Sequence, residues 1–457
     1  MADQSVALID TDALINGGKI GRLQILVALL AGCALLVEGF NTSAIGYIAP
    51  QITRLWHVPN STLGTILTAD MVGLLLGYLF LSPLSARFGH KRMIIACTAA
   101  FGASTFLTIT ATNVPLLIAF RFLTGIGVGG AMPSAVALTG EYFPERVRST
   151  SITLIYIGFS LGQIAAGVVS GLLLEPFGWR AVLGFGGATT IALSAMFVFL
   201  LPESLEFLLN LGNGRDRAAE IVAMIAPQLR ISGNTCLISG RADAKQIRLG
   251  QLVEDGRAIG TVLIWAGMFM NLMIYFFLQK WLTSLLVQSG LSQQVAITAT
   301  TVGLAGGIAA ALILGPLMDR YGPYIVVAGL FALSAVSVVL MARILAATPI
   351  PWIAIVGSTL VGFCLSGGQK ANNALSVYFY PTALRGTGIG WALGVGRIGG
   401  VLGPFAAGLM LSSGWSPAGL FETAAVPMII GTVAIAAMGQ IYGRVTAVAA
   451  AEHSLHP

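Results

Sequence analysis

Long apolar stretches recur along the chain and constrain its fold more than any other feature. A helix needs about 20 apolar residues to cross about 30 Å of hydrocarbon. Only 9% of the residues are charged, whereas about a quarter are charged in a soluble domain. We therefore predict an all-α integral membrane protein with twelve transmembrane helices. The apolar stretches lie at 22–48, 61–82, 92–111, 115–140, 150–174, 179–201, 258–281, 292–317, 323–343, 350–378, 386–411 and 416–441.

The twelve stretches form two groups of six that resemble each other. Residues 123–150 align with residues 360–387 at an offset of 237, with eight of 28 positions identical, and the loops that begin at Pro83 and Pro316 align at an offset of 233. Duplicated halves in parallel orientation are typical of carriers that hold a substrate near the bilayer midplane and open to each side in turn. We expect a tail at 1–21, a six-helix half at 22–201, a linker at 202–257, a second half at 258–441 and a tail at 442–457.

The basic residues predict the orientation, because Lys and Arg are enriched in cytoplasmic loops. With the N-terminus inside, 17 basic residues lie on the inner side and four on the outer side, namely Arg54, Arg180, Lys280 and Arg343. We therefore expect a multi-pass protein of the inner cell membrane with both termini cytoplasmic. The linker has seven basic and seven acidic residues, which favours a lateral cytoplasmic segment over a binding domain.

Few charges lie inside the apolar stretches. Each needs a partner, a water-filled cavity or a function, because an ionised group at the bilayer centre costs about 2.5 to 3.5 kcal/mol. Glu38 is predicted to carry protons, since desolvation disfavours its charged form and a nearby cation favours it. The alternative is a static ion pair with Arg121. Asp70 is either a second proton site or a packing residue. The predicted proton-coupling residues are Glu38, Asp70 and Arg121.

Two cations in the second half point to an anionic substrate. Lys370 acts as a point charge, and Arg397 can donate two parallel hydrogen bonds to a carboxylate. Gln369 and Asn373 share one helix face beside Lys370, although such groups also bond helix to helix, and Arg397 can instead form a buried structural pair. Aromatic side chains near the charges can contact the ring of an aromatic acid. The predicted substrate-binding residues are Phe40, Asn41, Gln369, Lys370, Asn373, Trp391 and Arg397.

The loop in the second half that reads GPLMDRYG at 315–322 resembles the G-x-L-x-D-R-x-G-R-K signature of the major facilitator superfamily, and the first half departs from it at Ser82 and Ala86. Within that superfamily, EGFN at 38–41 looks like the first-helix D-G-x-D signature of the aromatic acid:proton symporters. It has Glu38 and Asn41 in place of two aspartates. YPT at 380–382 and GVGRIG at 394–399 are similar to that family's tenth and eleventh helices. The resemblance implies a twelve-helix transporter that imports an aromatic acid with protons.

Charged residues at the inner helix ends are predicted to form ion pairs that close an inner gate in one state and release it in the other. The residues expected to take part are Asp319 and Arg320 after the eighth stretch, and Glu141 with Arg146 and Arg148 after the fourth. Such pairs shift the inward/outward equilibrium rather than bind substrate. The predicted gating residues are Arg87, Glu141, Arg148, Asp319, Arg320 and Arg385.

These features predict a secondary active transporter that imports an aromatic or related small carboxylate in symport with protons. The alternative is a proton-coupled exporter of drugs or metabolites with the same fold, and a sensor that binds without transporting is a third class. An enzyme is not expected, because the four histidines lie in loops and the tail and no phosphate-binding loop occurs. The four cysteines lie far apart, so we expect free thiols, no metal and no cofactor. The expected partners are the carboxylate, protons and membrane lipid, without nucleic acid.

Overall fold

The computed structural model describes residues 7–211, 214–226, 235–238, 249–347, 350–381 and 384–454. Within them, twelve helices are long and apolar enough to span a membrane, which confirms the twelve-helix prediction. The elements are β1 (Ala7–Asp10), α1 (Thr11–Gly17), α2 (Arg22–Trp56), α3 (Asn60–Phe80), α4 (Ser85–Phe88), α5 (His90–Leu107), α6 (Val114–Tyr142), α7 (Glu145–Phe177), α8 (Trp179–Leu200), α9 (Leu205–Asn210), α10 (Arg215–Ile225), β2 (Thr235–Ile238), α11 (Ala258–Gln288), α12 (Gln293–Tyr321), α13 (Pro323–Ala347), α14 (Pro351–Phe379), α15 (Arg385–Ser412) and α16 (Pro417–Ser454). The spanning helices are α2, α3, α5, α6, α7, α8 and α11 to α16.

Several spanning helices are longer than the apolar stretches that predicted them. α2 ends at Trp56 rather than at residue 48, and α11 ends at Gln288 rather than at residue 281. The apolar criterion measures only the part that crosses hydrocarbon, whereas a helix continues while its N–H groups find carbonyls four residues earlier. The longer α11 places Lys280 inside the helix and not at its end.

The two aligned loops share a backbone feature that supports the duplication. Gly89 precedes α5 with a φ of 90°, and Gly322 precedes α13 with a φ of 83°. A positive φ is unfavourable for residues with a Cβ, so glycine suits both positions. Two copies of one helical unit are expected to turn in the same way at equivalent loops.

The chain divides into two compact units. The first comprises Met1–Thr42, Val72–Gln163 and Arg180–Lys245, and the second comprises Ser43–Met71, Ile164–Trp179 and Gln246–Pro457. The division cuts through α2, α3 and α7, and it separates Trp179 from the rest of α8. Two segments of the first sequence half therefore pack with the helices of the second half inside the second unit.

In the first unit, described segments of the N-terminal tail and of the linker pack against the membrane helices. β1 and β2 form a parallel pair that starts with Ala7 opposite Thr235. Ile15 of α1 and Val222 of α10 belong to the same apolar cluster as Val27 of α2. The sequence analysis missed this small sheet, because one strand lies in the N-terminal tail and the other in the linker, and pairing between distant segments leaves no local signal.

In the second unit, glycines bring α12 and α14 to backbone distance. A Cβ on Gly303 would lie 2.8 Å from the carbonyl oxygen of Ser358, and a Cβ on Gly307 would lie 2.5 Å from Ser366 Oγ. Close approach of this kind packs membrane helices where lipid gives no apolar driving force. The contact between these helices also sets the surroundings of Lys370.

Candidate functional site

Lys370 lies in the interior of α14 and is partly buried. Its Nζ donates to the carbonyl oxygen of Gly307 at 2.6 Å and to Ser366 Oγ at 3.2 Å. The Gly307 carbonyl is accessible because glycine has no side chain to cover it. Both acceptors are neutral, and no carboxylate of the described residues lies within 4.0 Å of this ammonium group. The cation therefore retains the capacity to bind an anion.

The polar face predicted beside Lys370 is present on α14. Gln369 and Asn373 are both partly buried, and Asn373 Oδ1 has no hydrogen-bond partner among the described residues. Asn372, one residue earlier, is fully buried, and neither of its amide atoms has such a partner. A buried polar atom without a partner costs free energy, so this part of α14 has unused hydrogen-bonding capacity around its cation.

Arg397 and Trp391 lie on α15, and each contacts an aromatic ring of α11. The Arg397 guanidinium carbon lies 5.4 Å from the centre of the Phe276 ring, a cation–π distance. Trp391 is 45% exposed and stacks on Trp265 with 6.1 Å between the ring centres. The sequence analysis did not select Trp265 or Phe276, because nothing in the local sequence distinguishes them from packing aromatics.

Glu38 and Arg121, two of the predicted proton-coupling residues, lie deep in the first unit. Glu38 on α2 is 3% exposed and Arg121 on α6 is fully buried. Arg121 Nη2 donates to Thr108 Oγ1 and to Thr124 Oγ1, each at 3.2 Å. A change of charge on either residue needs compensation inside this packed region, because a buried uncompensated charge is costly.

Phe40 and Asn41, predicted to contact substrate, are held by α8 within the first unit. The Phe40 ring lies 5.8 Å from that of Phe185. Asn41 Nδ2 donates to the Val37 carbonyl oxygen at 2.7 Å and to Thr190 Oγ1 at 3.2 Å, and its Oδ1 has no partner among the described residues. The amide oxygen of Asn41 is thus its remaining hydrogen-bonding atom.

The sequence analysis missed Lys280 as a site residue and counted it among the basic residues of the outer side, whereas it lies inside a helix. Lys280 lies inside α11 and its side chain is fully buried. Its Nζ donates to Asp70 Oδ2 at 2.7 Å, and the Asp70 side chain is 9% exposed. The apolar residues that follow Lys280, namely Leu282, Leu285, Leu286 and Val287, were the signal that the helix continues beyond it.

The predicted gating residues differ in how firmly they are held. Arg87, Asp319 and Arg320 are exposed. Glu141 Oε1 lies 3.3 Å from His90 Nε2, and His90 is the first residue of α5 rather than a loop residue.

The remaining basic residues near the predicted gate bind backbone or close neighbours. Arg148 lies 3.9 Å from Glu145. Arg146, expected to pair with Glu141, donates to the backbone carbonyls of Asn16 and Gly18.

Arg385 Nε donates to the Tyr380 carbonyl at 3.2 Å. Tyr380, which lies between α14 and α15, donates its hydroxyl to Thr261 Oγ1, and burial raises the pKa of this hydroxyl. Thr382 of the quoted signature lies outside the described residues.

The described residues contain no group of three or more His, Cys, Asp or Glu side chains that could hold a metal ion. Their charged and amide side chains instead lie singly or in pairs within apolar helices. Such a set can bind a small anion and move a proton, and it offers no nucleophile paired with a base.

Comparison with known proteins identifies close similarity over nearly the whole chain. A family model described as Major Facilitator Superfamily matches residues 31–312 and 259–446. The chain is 32% identical to the 4-hydroxybenzoate transporter PcaK of Pseudomonas putida, with 95% of this chain and 96% of that protein aligned. It is also 32% identical to the gallate transporter of Pseudomonas putida, with 96% of this chain and 97% of that protein aligned.

A solved structure gives the same fold at lower sequence identity. The xylose transporter XylE from E. coli, in a partially occluded inward-open conformation, superimposes with a TM-score of 0.67 at 15% identity. The superposition covers 90% of this chain and 96% of that chain. The similarities confirm the resemblance stated from the loop and first-helix signatures.

Proposed function

The chain belongs to the Major Facilitator Superfamily, and from this premise we propose that it imports a small aromatic carboxylate together with protons across the inner cell membrane. It is a multi-pass transporter, not an enzyme. The relatives named as 4-hydroxybenzoate and gallate transporters support an aromatic acid as substrate. In the proposed orientation both termini are cytoplasmic.

The observation that carries the proposal is the environment of Lys370. Its ammonium group is partly buried in an apolar helix and donates only to neutral oxygens of Gly307 and Ser366 among its hydrogen bonds. A carboxylate that approaches Nζ gains a charge-assisted hydrogen bond, which is about twice as strong as a neutral one. Lys370 therefore binds the carboxylate, with Gln369, Asn373 and Arg397 as further polar contacts.

The remaining predicted substrate contacts supply surfaces for the ring and its substituents. Trp391 is exposed and already stacks on another indole, so its free face can accept an aromatic ring by stacking. Within the first unit, Phe40 offers an aromatic side chain and Asn41 an amide oxygen that can accept a hydrogen bond. These contacts select an aromatic acid over an aliphatic one.

Glu38 carries the coupled proton in this proposal, with Arg121 and Asp70 as the other charged residues of the pathway. The burial of Glu38 supports this role, because a carboxylate that is desolvated in one state and hydrated in another changes its proton affinity between them. One proton neutralises a monocarboxylate. Each additional proton lets the membrane potential contribute about 2.3 kcal/mol per 100 mV to accumulation.

The duplicated halves, 22–201 and 258–441, move against each other so that the site opens to one side and then to the other. The charged residues at the inner helix ends, Arg87, Glu141, Arg148, Asp319, Arg320 and Arg385, set the balance between the two states. The Glu141–His90 contact joins α6 to α5 within the first half and keeps Glu141 at this end of the helices. Arg320 and Arg87, which lie over neighbouring aromatic rings, are exposed and available for such pairs.

The proposal is tested by uptake of labelled 4-hydroxybenzoate, gallate, benzoate and non-aromatic carboxylates into proteoliposomes with an inward proton gradient. Lys370→Ala is expected to raise KM for the aromatic acid at least tenfold, with partial recovery in Lys370→Arg. Lys19→Ala, which removes an exposed lysine before α2, is the matched control and should behave as wild type. Equal KM values in wild type and Lys370→Ala would remove Lys370 from the site.

Coupling is tested in the same vesicles with Glu38→Gln. This variant should lose gradient-driven accumulation and keep exchange of labelled for unlabelled substrate, because exchange needs no net proton movement. Export by a proton-coupled antiporter is distinguished by the direction of the gradient: an exporter accumulates substrate in vesicles when the interior is acidic. Accumulation under that condition alone would reject the import proposal.

A further inference from the structure

A buried ion pair in the second unit joins the two sequence halves. Asp70 belongs to α3 of the first half and Lys280 to α11 of the second, and Nζ lies 2.7 Å from Oδ2. The side chains are 9% and 0% exposed. The sequence separation is 210 residues, so the contact exists only because residues 43–71 pack on the helices of the second half.

The pair is part of a set of contacts that we call the 43–71 seam, formed by residues 43–71 with α11, α12 and α15 of the second half. Ser43 Oγ accepts a hydrogen bond from Gln279 Nε2 at 3.0 Å, next to the ion pair. A Cβ on Gly46 would lie 2.9 Å from the Gln279 carbonyl oxygen. Tyr47 OH lies 3.3 Å from Thr301 Oγ1. The helices on the two sides of the seam are therefore in close contact through their backbones in this structure.

The depth of the pair follows from the helix rise of about 1.5 Å per residue. Asp70 lies about 15 Å along α3 from its start, and Lys280 lies about 12 Å from the end of α11. The start of α3 and the end of α11 belong to the same membrane face. α3 starts on the face where α2 ends. α11 is the first helix of the second half, so in the duplicated plan it crosses the membrane in the same direction as α2 and ends on that face too. The ion pair therefore lies well inside the membrane, below the proposed outer surface.

We propose that the Asp70–Lys280 pair is the latch of the outer gate, which breaks each time the halves separate on that side and forms again when they close. This inference rests on the alternating-access mechanism in the proposed function. It gives Lys280 a gating role that no sequence signature indicated, and it gives Asp70 a gating role in addition to its place in the proposed proton pathway.

The chemistry of a buried ion pair suits a contact that must open repeatedly. Its Coulomb attraction is largely offset by the desolvation of the two ions, so the paired, dry state and the separated, hydrated state are close in free energy. An apolar seam of the same size would oppose opening in proportion to the area exposed to water. The directional hydrogen bond still restores one closed geometry, since the ammonium donates to a carboxylate oxygen on the facing helix.

Access of water to the seam is the property that tests the latch. In a protein with Cys33, Cys97, Cys236 and Cys364 replaced by serine, Ser43→Cys introduces one thiol at a position that is 2% exposed. Asp70→Asn or Lys280→Met is expected to raise the rate of labelling by a membrane-impermeant thiol reagent at least fivefold. The charge swap Asp70→Lys with Lys280→Asp should return the rate toward that of the parent.

The matched control is Arg343→Gln, which removes an ion pair to Glu422 at 2.8 Å. Both of these residues belong to the second sequence half, and their side chains are 73% and 38% exposed. The control should leave the labelling rate within twofold of the parent. A labelling rate that does not change in Asp70→Asn and Lys280→Met would overturn the latch. Labelling does not depend on any substrate, so the latch can fail or stand independently of the carboxylate proposal.

A disulfide provides a second test that leaves both charges in place. Ser43→Cys with Gln279→Cys, in the same cysteine-free background, places one thiol on each side of the seam, at two positions whose side chains are joined by a hydrogen bond. Oxidation should lock the seam and stop net transport and exchange, and reduction should restore both. Transport that continues in the crosslinked protein would contradict a seam that closes and opens in each cycle.

Discussion

At the residue scale, the position of Lys370 depends on one missing side chain. Gly307 offers its carbonyl to the ammonium group, and a Cβ there would lie 2.5 Å from Ser366 Oγ, the second acceptor. We expect Gly307→Ala to displace both acceptors and to raise KM for the aromatic acid about threefold to tenfold with little change in protein yield, an effect of about 0.6 to 1.4 kcal/mol. Uptake kinetics in proteoliposomes measure it.

The control for this substitution is Gly329→Ala on α13, where an added Cβ meets no atom within 4 Å. Its KM should equal that of wild type. If both variants raise KM equally, the effect comes from the general loss of glycine flexibility and not from the Lys370 environment.

At the element scale, α2 and α7 pack through glycines in the first unit. A Cβ on Gly162 would overlap the Leu36 carbonyl, and one on Gly158 would overlap the Gly32 carbonyl. Gly162→Ala should force the helices apart and lower the free energy of unfolding by about 1 to 3 kcal/mol, the usual cost of overpacking. Denaturation of the purified protein in detergent measures the change.

Gly32→Ala is the control, because its own Cβ meets no atom within 4 Å. A similar loss of stability in both variants would contradict the explanation by helix packing.

At the scale of the whole molecule, the distribution of basic residues predicts topology. After Lys280 is assigned to the interior of α11, only Arg54, Arg180 and Arg343 remain on the predicted outer side, against 17 inside. We expect a green fluorescent protein fused after the C-terminus to fluoresce, and alkaline phosphatase fused there to be inactive. Alkaline phosphatase inserted at 57–59, between α2 and α3, should be active. The opposite pattern would invert the proposed orientation and place the Asp70–Lys280 pair on the cytoplasmic side.

What the sequence determined by itself are the twelve spans, the duplication and the family. Each of these can be recognised from short segments of the sequence. An apolar stretch long enough to cross lipid must be helical, because the bilayer offers no other partner for its backbone N–H and C=O groups. The charged positions Glu38, Arg121 and Lys370 could also be identified in this way, because a charge within an apolar stretch is visible without a structure.

Only the tertiary structure decided which of these residues meet. Asp70 forms an ion pair with Lys280, which lies 210 residues later in the sequence. Glu141 lies against His90 rather than Arg146, and β1 pairs with β2. These contacts depend on how far each helix continues, on its rotation about its axis and on where glycines let backbones touch. Those quantities are set jointly by segments that are distant in sequence, and hydropathy along one segment does not contain them.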